Sequence, residues 1–272
     1  MIAFFKQGFA NTNRNMGFVA LLFMIDIALI AATGLMSLEW VSSNIGARFI
    51  VLHYNIYRIA SAAPEFLKLA AEILIISGSI SAAAGYISSG HMKKGVFFRE
   101  GARRYFRILA ATFIWFLAAV IPAFLALLVY MGYLSGAPAM LQGSLAAATI
   151  AFLVAMTVLF FFAPFVAVLE DKNAVVSIRT SFAAAKRHFR PMLSFIGIYF
   201  LITLALYLAA ALAIGAYLGA VESVTSSAKI GQLSKFSIEA LFSFAARYVY
   251  VAGVFATILF YRSIKESDEK KV

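Results

Sequence analysis

Three ionisable residues lie deep inside otherwise apolar stretches. They are Asp26 in MGFVALLFMIDIALIAATGL, Glu72 in LKLAAEILIISGS and Arg247 in SFAARYVYVAGVF. A charge at the centre of a bilayer costs at least about 2.5–3.5 kcal/mol on insertion scales, so such groups are expected to be paired. At about 1.5 Å of rise per residue, each lies roughly 12–18 Å from the outer end of its stretch. The shared depth predicts one cluster of an arginine and two carboxylates, with an excess negative charge that a proton or a cation completes. Glu65, Glu72, Ser79 and Tyr86 recur about every two helical turns, on one face of their helix, with Lys68 beside them. Glu239, Ser243, Arg247, Tyr250, Thr257 and Tyr261 form a comparable stripe. The two stripes are expected to face each other or to line a polar cavity open to the outer side. The small residues of SGSISAAAG, 77–85, permit close helix approach. Two readings stand: a structural ion-pair network that fixes helix order, or a pathway in which Asp26, Glu65, Glu72, Arg247 and Glu239 handle an ion, proton or solute.

Other chemistry is sparse. There is no P-loop, H-E-x-x-H, G-x-S-x-G or dinucleotide fingerprint. His53, His91 and His188 fall in three separate extramembrane segments and cannot share a metal. Ser89-Gly90-His91 resembles a nucleophile and base only superficially, because such a pair at a helix end rarely aligns. The absence of cysteine excludes disulfides and thiolate metal sites. No catalytic residue, metal or cofactor is expected, and an enzyme is the third-ranked reading.

The elements that position these groups follow from composition. The chain has 272 residues, 63% hydrophobic and 13% charged, with a mean hydropathy of +0.92. Soluble domains hold roughly 45–50% apolar and about 25% charged residues, so this is a membrane protein. Six stretches of the length a bilayer requires run over 16–38, 64–89, 108–134, 145–169, 191–220 and 237–261, in one membrane domain with a short charged tail at 262–272. Pro64 and Pro191 open spans; Pro122 and Pro164 lie inside spans and predict kinks. The segments before the first span, between spans two and three, between four and five, and after six carry the whole net charge of +11. The positive-inside rule then places both termini in the cytoplasm, in the cell membrane. The basic balance reads as topology and attraction to anionic lipid, not nucleic acid. The first apolar run is long, contains Asp26 and has no convincing cleavage site, so a retained span is expected rather than a signal peptide.

ARRYFR at 102–107 and AKRHFR at 185–190 each lead from a basic segment into a span, which suggests a parallel internal repeat. Both segments read as amphipathic helices lying on the membrane. In one, Phe98, Ala102, Tyr105 and Leu109 form the apolar face; in the other, Val175, Ile178, Phe182, Ala185 and Phe189 do. Arg99, Arg103, Arg104, Arg107, Arg179, Lys186, Arg187 and Arg190 are the candidate headgroup contacts, against the plainer reading of anchoring. On the outer side, Ile45, Phe49, Leu52, Ile56 and Ala60 form a similar stripe, and Trp40, Tyr54 and Tyr57 suit an aromatic belt.

The stretch FVAVLEDKNAVVSIRTSFAAAKRHFRPML resembles a pattern in which a span ends in an acidic residue, a short amphipathic helix carries a serine step, and basic residues open the next span. Here these are Glu170, Val175, Ser181 and 186–190; GARRYFRIL fits the same scheme. The pattern, over about residues 75–215, is similar to the membrane domain found fused to glycerophosphoryl diester phosphodiesterases and to related stand-alone six-span proteins. That resemblance implies a helical six-span fold. It transfers no catalytic residue, because the phosphodiesterase chemistry belongs to a separate soluble domain.

The expected architecture is an all-α, six-helix transmembrane bundle with interfacial helices. The leading function is to bind or pass a small solute, ion or lipid through a polar cavity. The alternative is a structural or accessory protein that organises lipid or a partner complex. Anionic lipids are the expected partners, with a second copy or another membrane protein also compatible.

Overall fold

The computed structural model describes residues 1–35, 63–92, 95–134, 136, 138–224 and 228–270; within these, the side chains of 33–35, 63–65, 133–134, 139, 214, 218–224 and 228–239 are outside the description. The described residues are helical, with no strand among them. The helices are α1 (Ile2–Arg14), α2 (Met16–Leu35), α3 (Ala63–Ser89), α4 (Val96–Val129, ending in a π-turn at Tyr130–Leu134), α5 (Ala139–Phe160), α6 (Ala163–Leu169), α7 (Ala174–Arg187), α8 (Phe189–Val224) and α9 (Ala228–Glu269). The outer stripe over 45–60, Trp40, Tyr54, Tyr57 and His53 lie outside the described residues.

Among the described residues, five helical stretches are long and apolar enough to cross a bilayer, and a sixth is reached if α1 and α2, bent by 80° at Asn15, count together. In the most apolar windows of α4 and α8 only 6% of residues are buried. Phe113, Phe116, Phe124 and Leu125 of α4 stand exposed, as do Phe200, Leu201, Leu208 and Leu212 of α8. Apolar surface this continuous requires lipid as its solvent. The chain is a multi-pass membrane protein.

Two compact units divide the chain: one holds residues 76–197 and 257–272, the other 2–75 and 198–256. The first is here called the basic unit; the second, named only for the intramembrane carboxylates Asp26 and Glu72 and itself holding eight basic and six acidic residues, is called the acidic unit.

In the basic unit, helices meet over small residues. Ser77 Oγ donates to the carbonyl of Gly101 at 2.7 Å, and a Cβ on Gly78 would come within 2.6 Å of the Phe97 ring. Gly90 (φ 72°) and Gly95 (φ 84°) supply left-handed backbone at the end of α3 and the start of α4. Phe195 stacks on Phe260 at 4.6 Å, and Phe162 lies against Tyr261 at 5.1 Å.

The fourth expected span is one apolar stretch, Met140–Leu169, whose helix is interrupted at 161–162 just before Pro164. α5 stops at Phe160, and Pro164 occupies the first turn of α6. Proline cannot donate to the carbonyl four residues earlier and its ring clashes there. The freed groups are met by Ser181 of α7: its hydroxyl accepts from the Phe162 N–H at 3.1 Å and donates to the Leu159 carbonyl at 2.6 Å.

The two basic segments differ. Residues 96–107 are the unbroken start of α4, not a separate interfacial helix. α7 is separate and ends at His188 (φ −122°, ψ 34°). Pro191 follows three residues later and has no N–H to give the Arg187 carbonyl; the matching position after ARRYFR is Ile108, which lets the helix continue. The residues turned inward are mostly small. α4 buries Phe97, Gly101, Ile108 and Ala111, and α7 buries Ala174, Ser177, Ser181 and Ala185. Phe98, Val175 and Phe189 are exposed.

In the acidic unit, residues 2–14 ahead of the first expected span form α1. Its inward residues Phe5, Gly8 and Thr12 follow helical spacing. A side chain on Gly8 would strike the Ala252 carbonyl of α9. Phe5 stacks on Tyr199 at 6.3 Å, and Tyr248 Oη donates to Asn13 Oδ1 at 2.7 Å. Tyr199 in turn lies over Gly253, where a Cβ would overlap its ring.

Ser181→Ala would orphan a buried amide and a buried carbonyl. We expect a loss of about 1–3 kcal/mol, read as a lower Tm in detergent, whereas Ser144→Ala on exposed α5 leaves Tm unchanged.

Candidate functional site

The predicted intramembrane cluster forms within the acidic unit. α9 carries Arg247, α2 carries Asp26 and α3 carries Glu72. Arg247 meets Asp26 side-on: Nε donates to Oδ2 and Nη2 to Oδ1, both at 2.6 Å. Ser243, one turn earlier on α9, donates to Asp26 Oδ2 at 3.0 Å. The guanidinium also reaches Glu72, with Nη2 2.5 Å from Oε1 and Nη1 3.3 Å from Oε2. Its carbon lies 5.6 Å from the centre of the Tyr250 ring. Two forked carboxylate contacts and one ring face hold it in a single orientation.

Exposure separates the two carboxylates. The side chains of Arg247 and Asp26 are 12% exposed, but that of Glu72 is 44% exposed. A cavity of about 530 Å³ borders the cluster. Its walls carry Tyr199, Thr203 and Tyr207 from α8 and Ser243 and Tyr250 from α9. The contribution of α8 was missed in the sequence, although Tyr199, Thr203 and Tyr207 recur every turn and mark a hydroxyl face.

The stripes divide. Ser243, Arg247 and Tyr250 join the cluster, whereas Thr257 and Tyr261 belong to the basic unit. On α3, Glu72 lies in the acidic unit and Ser79 and Tyr86 in the basic one. The Ser79 hydroxyl is buried with no hydrogen-bond partner among the described residues. The side chains of Glu65 and Glu239 lie outside the described residues.

A second polar network gathers at the basic ends of the helices. Asp171 follows the broken span with a left-handed backbone, φ 53°. Arg107 fixes it, donating to its carboxylate at 2.6 Å and to its carbonyl at 3.0 Å. That guanidinium holds the Asp171 carboxyl below the usual range, and Arg104 adds to the effect. Arg104 also donates to Ser81 Oγ at 3.0 Å and lies 3.3 Å from Glu100. Arg104 and Arg107 thus also tie the helix ends together, because the turn at 170–173 brings a carboxylate to their level. Arg99 and Arg103 pair with Glu100 but stay 80% and 62% exposed. Arg187 is 3.6 Å from Asp268, which His188 also meets at 3.0 Å. Arg179, Lys186 and Arg190 are exposed.

Glu170 is the anchor of this network. Tyr261 Oη donates to it at 2.7 Å, and Lys172 and Lys265 lie 2.5 and 3.1 Å away. Burial raises its pKa, but the hydrogen bonds from Lys172, Tyr261 and Lys265 outweigh that and bring it from an ordinary 4.5 to about 2. Ser89 Oγ turns back onto the Gly85 carbonyl at 2.8 Å and the His91 carbonyl at 3.0 Å. It serves the helix end.

No family model, curated protein or solved structure matches the chain.

Arg247→Gln strands two carboxylates and should cost most, about 3–5 kcal/mol. Asp26→Asn should cost less, and Glu72→Gln least, because the Arg247–Asp26 fork survives it. Denaturant titration in detergent checks the order. The Glu170 contribution is complete above pH 4.5 and is lost as pH falls toward about 2. Over that window Tm should drop more steeply in the parent than in Glu170→Gln.

Proposed function

We propose that this membrane protein binds or passes a small solute or ion through the cavity of the acidic unit, without catalysing a reaction. The observation that carries the reading is the exposure of Glu72. A structural rivet needs only the Arg247–Asp26 fork, which is charge-balanced and withdrawn. Glu72 adds a second negative charge to an already neutral pair and stands open to a hydroxyl-lined space. Surplus charge in such a place suits a proton or a cation, because a carboxylate there is stabilised by whatever positive group joins it. The hydroxyls of Tyr199, Thr203, Tyr207, Ser243 and Tyr250, set among apolar residues such as Ile30, Leu206 and Phe242, would offer oxygen atoms to a partly dehydrated cargo. The basic ends are then assigned to the cytoplasm of the cell, with both termini on that side. The looser resemblance to stand-alone six-span membrane domains agrees with a role that needs no catalytic residue.

The second reading, a lipid-organising or accessory protein, draws on the apolar faces of α4 and α8, which invite lipid or a partner helix.

Reconstitution in liposomes separates the two. Under an imposed pH or cation gradient, the parent should carry a current or dissipate the gradient. Glu72→Gln should reduce that flux about tenfold or more while keeping near-parent Tm. Flux unaffected by Glu72→Gln, or absent for protons and for mono- and divalent cations in the parent, favours the accessory role.

A further inference from the structure

We propose that a second cavity, at the basic end of the basic unit, is a binding site for a phosphate-bearing anion, taken by Arg99, Arg104 and Arg262. This does not rest on the acidic unit or on transport.

The cavity measures about 560 Å³ and is bordered by the ends of α3, α4, α6 and α9. That volume is in the range of small-molecule sites and is several times larger than a lone ion needs. Its two carboxylates are already answered. Glu100 lies within ion-pair distance of Arg99, Arg103 and Arg104. Glu170 is met by Lys172, Lys265 and the Tyr261 hydroxyl. Positive charge therefore exceeds negative at the walls, and Arg262, half-buried, has no carboxylate partner among the described residues.

The hydroxyls at the rim are not free to donate. Ser81 donates to the Ser77 carbonyl at 2.8 Å, and Ser88 and Ser89 donate to backbone carbonyls of their own helix. Recognition falls to the guanidiniums. Arg104 is 16% exposed and pre-oriented by Ser81, Glu100 and Asp171. Arg99 and Arg262 complete a set of three planar forks around one space. Such forks match an anion with three or four acceptor oxygens better than a single carboxylate. Charges that only set topology need no enclosed space and no fixed orientation. A lipid headgroup and a water-soluble phosphomonoester share this chemistry, and the assay distinguishes them.

The full chain in neutral detergent is titrated with dioctanoyl phosphatidic acid, dioctanoyl phosphatidylcholine and inorganic phosphate, read by native mass spectrometry and calorimetry. Phosphatidic acid should bind at least about tenfold more tightly than phosphatidylcholine, since hydrogen bonds between ionised partners are the strong ones. Arg262→Gln should weaken phosphatidic acid binding by roughly tenfold. The paired control Arg179→Gln with Lys186→Gln, on the exposed face of α7, should change it by less than about twofold. Arg104→Gln risks misfolding through its ties, so Arg262→Gln decides. Displacement by millimolar inorganic phosphate identifies a soluble phosphate source; retention against it identifies the lipid headgroup. Equal binding of the two lipids, or equal loss in Arg262→Gln and the control, overturns the proposal.

Discussion

A backbone amide or carbonyl left alone in hydrocarbon costs several kcal/mol, because no water can answer it. The irregular parts of this chain are organised around that cost. Where Pro164 breaks the fourth span, Ser181 reaches across from α7 and takes both freed groups. Where the chain turns left-handed at Asp171, Arg107 binds its carbonyl and carboxylate together. Where α1 bends into α2, Asn15 Nδ2 donates to the Asn11 carbonyl at 2.8 Å. Each break is placed beside a side chain able to repair it, so α5, α6 and α7 pack as one group.

The same solvent inverts the usual rule for reading a helix. Lipid is as apolar as leucine, so large side chains gain little by turning inward, while small ones gain by letting backbones approach. Phe98, Val175 and Phe189, expected to face the membrane, are exposed, while Gly101, Ser177, Ser181 and Ala185 face inward. The apolar spans were legible because they depend on composition over some twenty residues. The depth match of Asp26, Glu72 and Arg247 was legible because a buried charge has few solutions. The role of Ser181 was not, because it depends on a proline 17 positions earlier creating the vacancy it fills. The separation of Arg104 and Arg107 from the outward arginines was hidden too, since only the folded turn at 170–173 brings Asp171 to them.

The two charged regions use opposite surpluses. In the acidic unit one arginine is shared by two carboxylates, and the balance is negative. In the basic unit Glu100, Glu170 and Asp171 are each shared by two or three cations, and the balance is positive. A pair that merely holds helices together would be neutral. Both regions have adjoining space, and in both the surplus is on the more accessible partner: Glu72 in one, Arg99 and Arg262 in the other.

The replacement of Ile108 by Pro191 at the corresponding point of the repeat has a mechanical meaning. α4 is one continuous helix from Val96 to Val129, with Pro122 inside it. α7 and α8 are separated at His188, where the backbone leaves the helix. A change of angle at the basic end of α4 would therefore carry the membrane-crossing part with it, whereas α7 could change its angle at His188 and leave α8 in place.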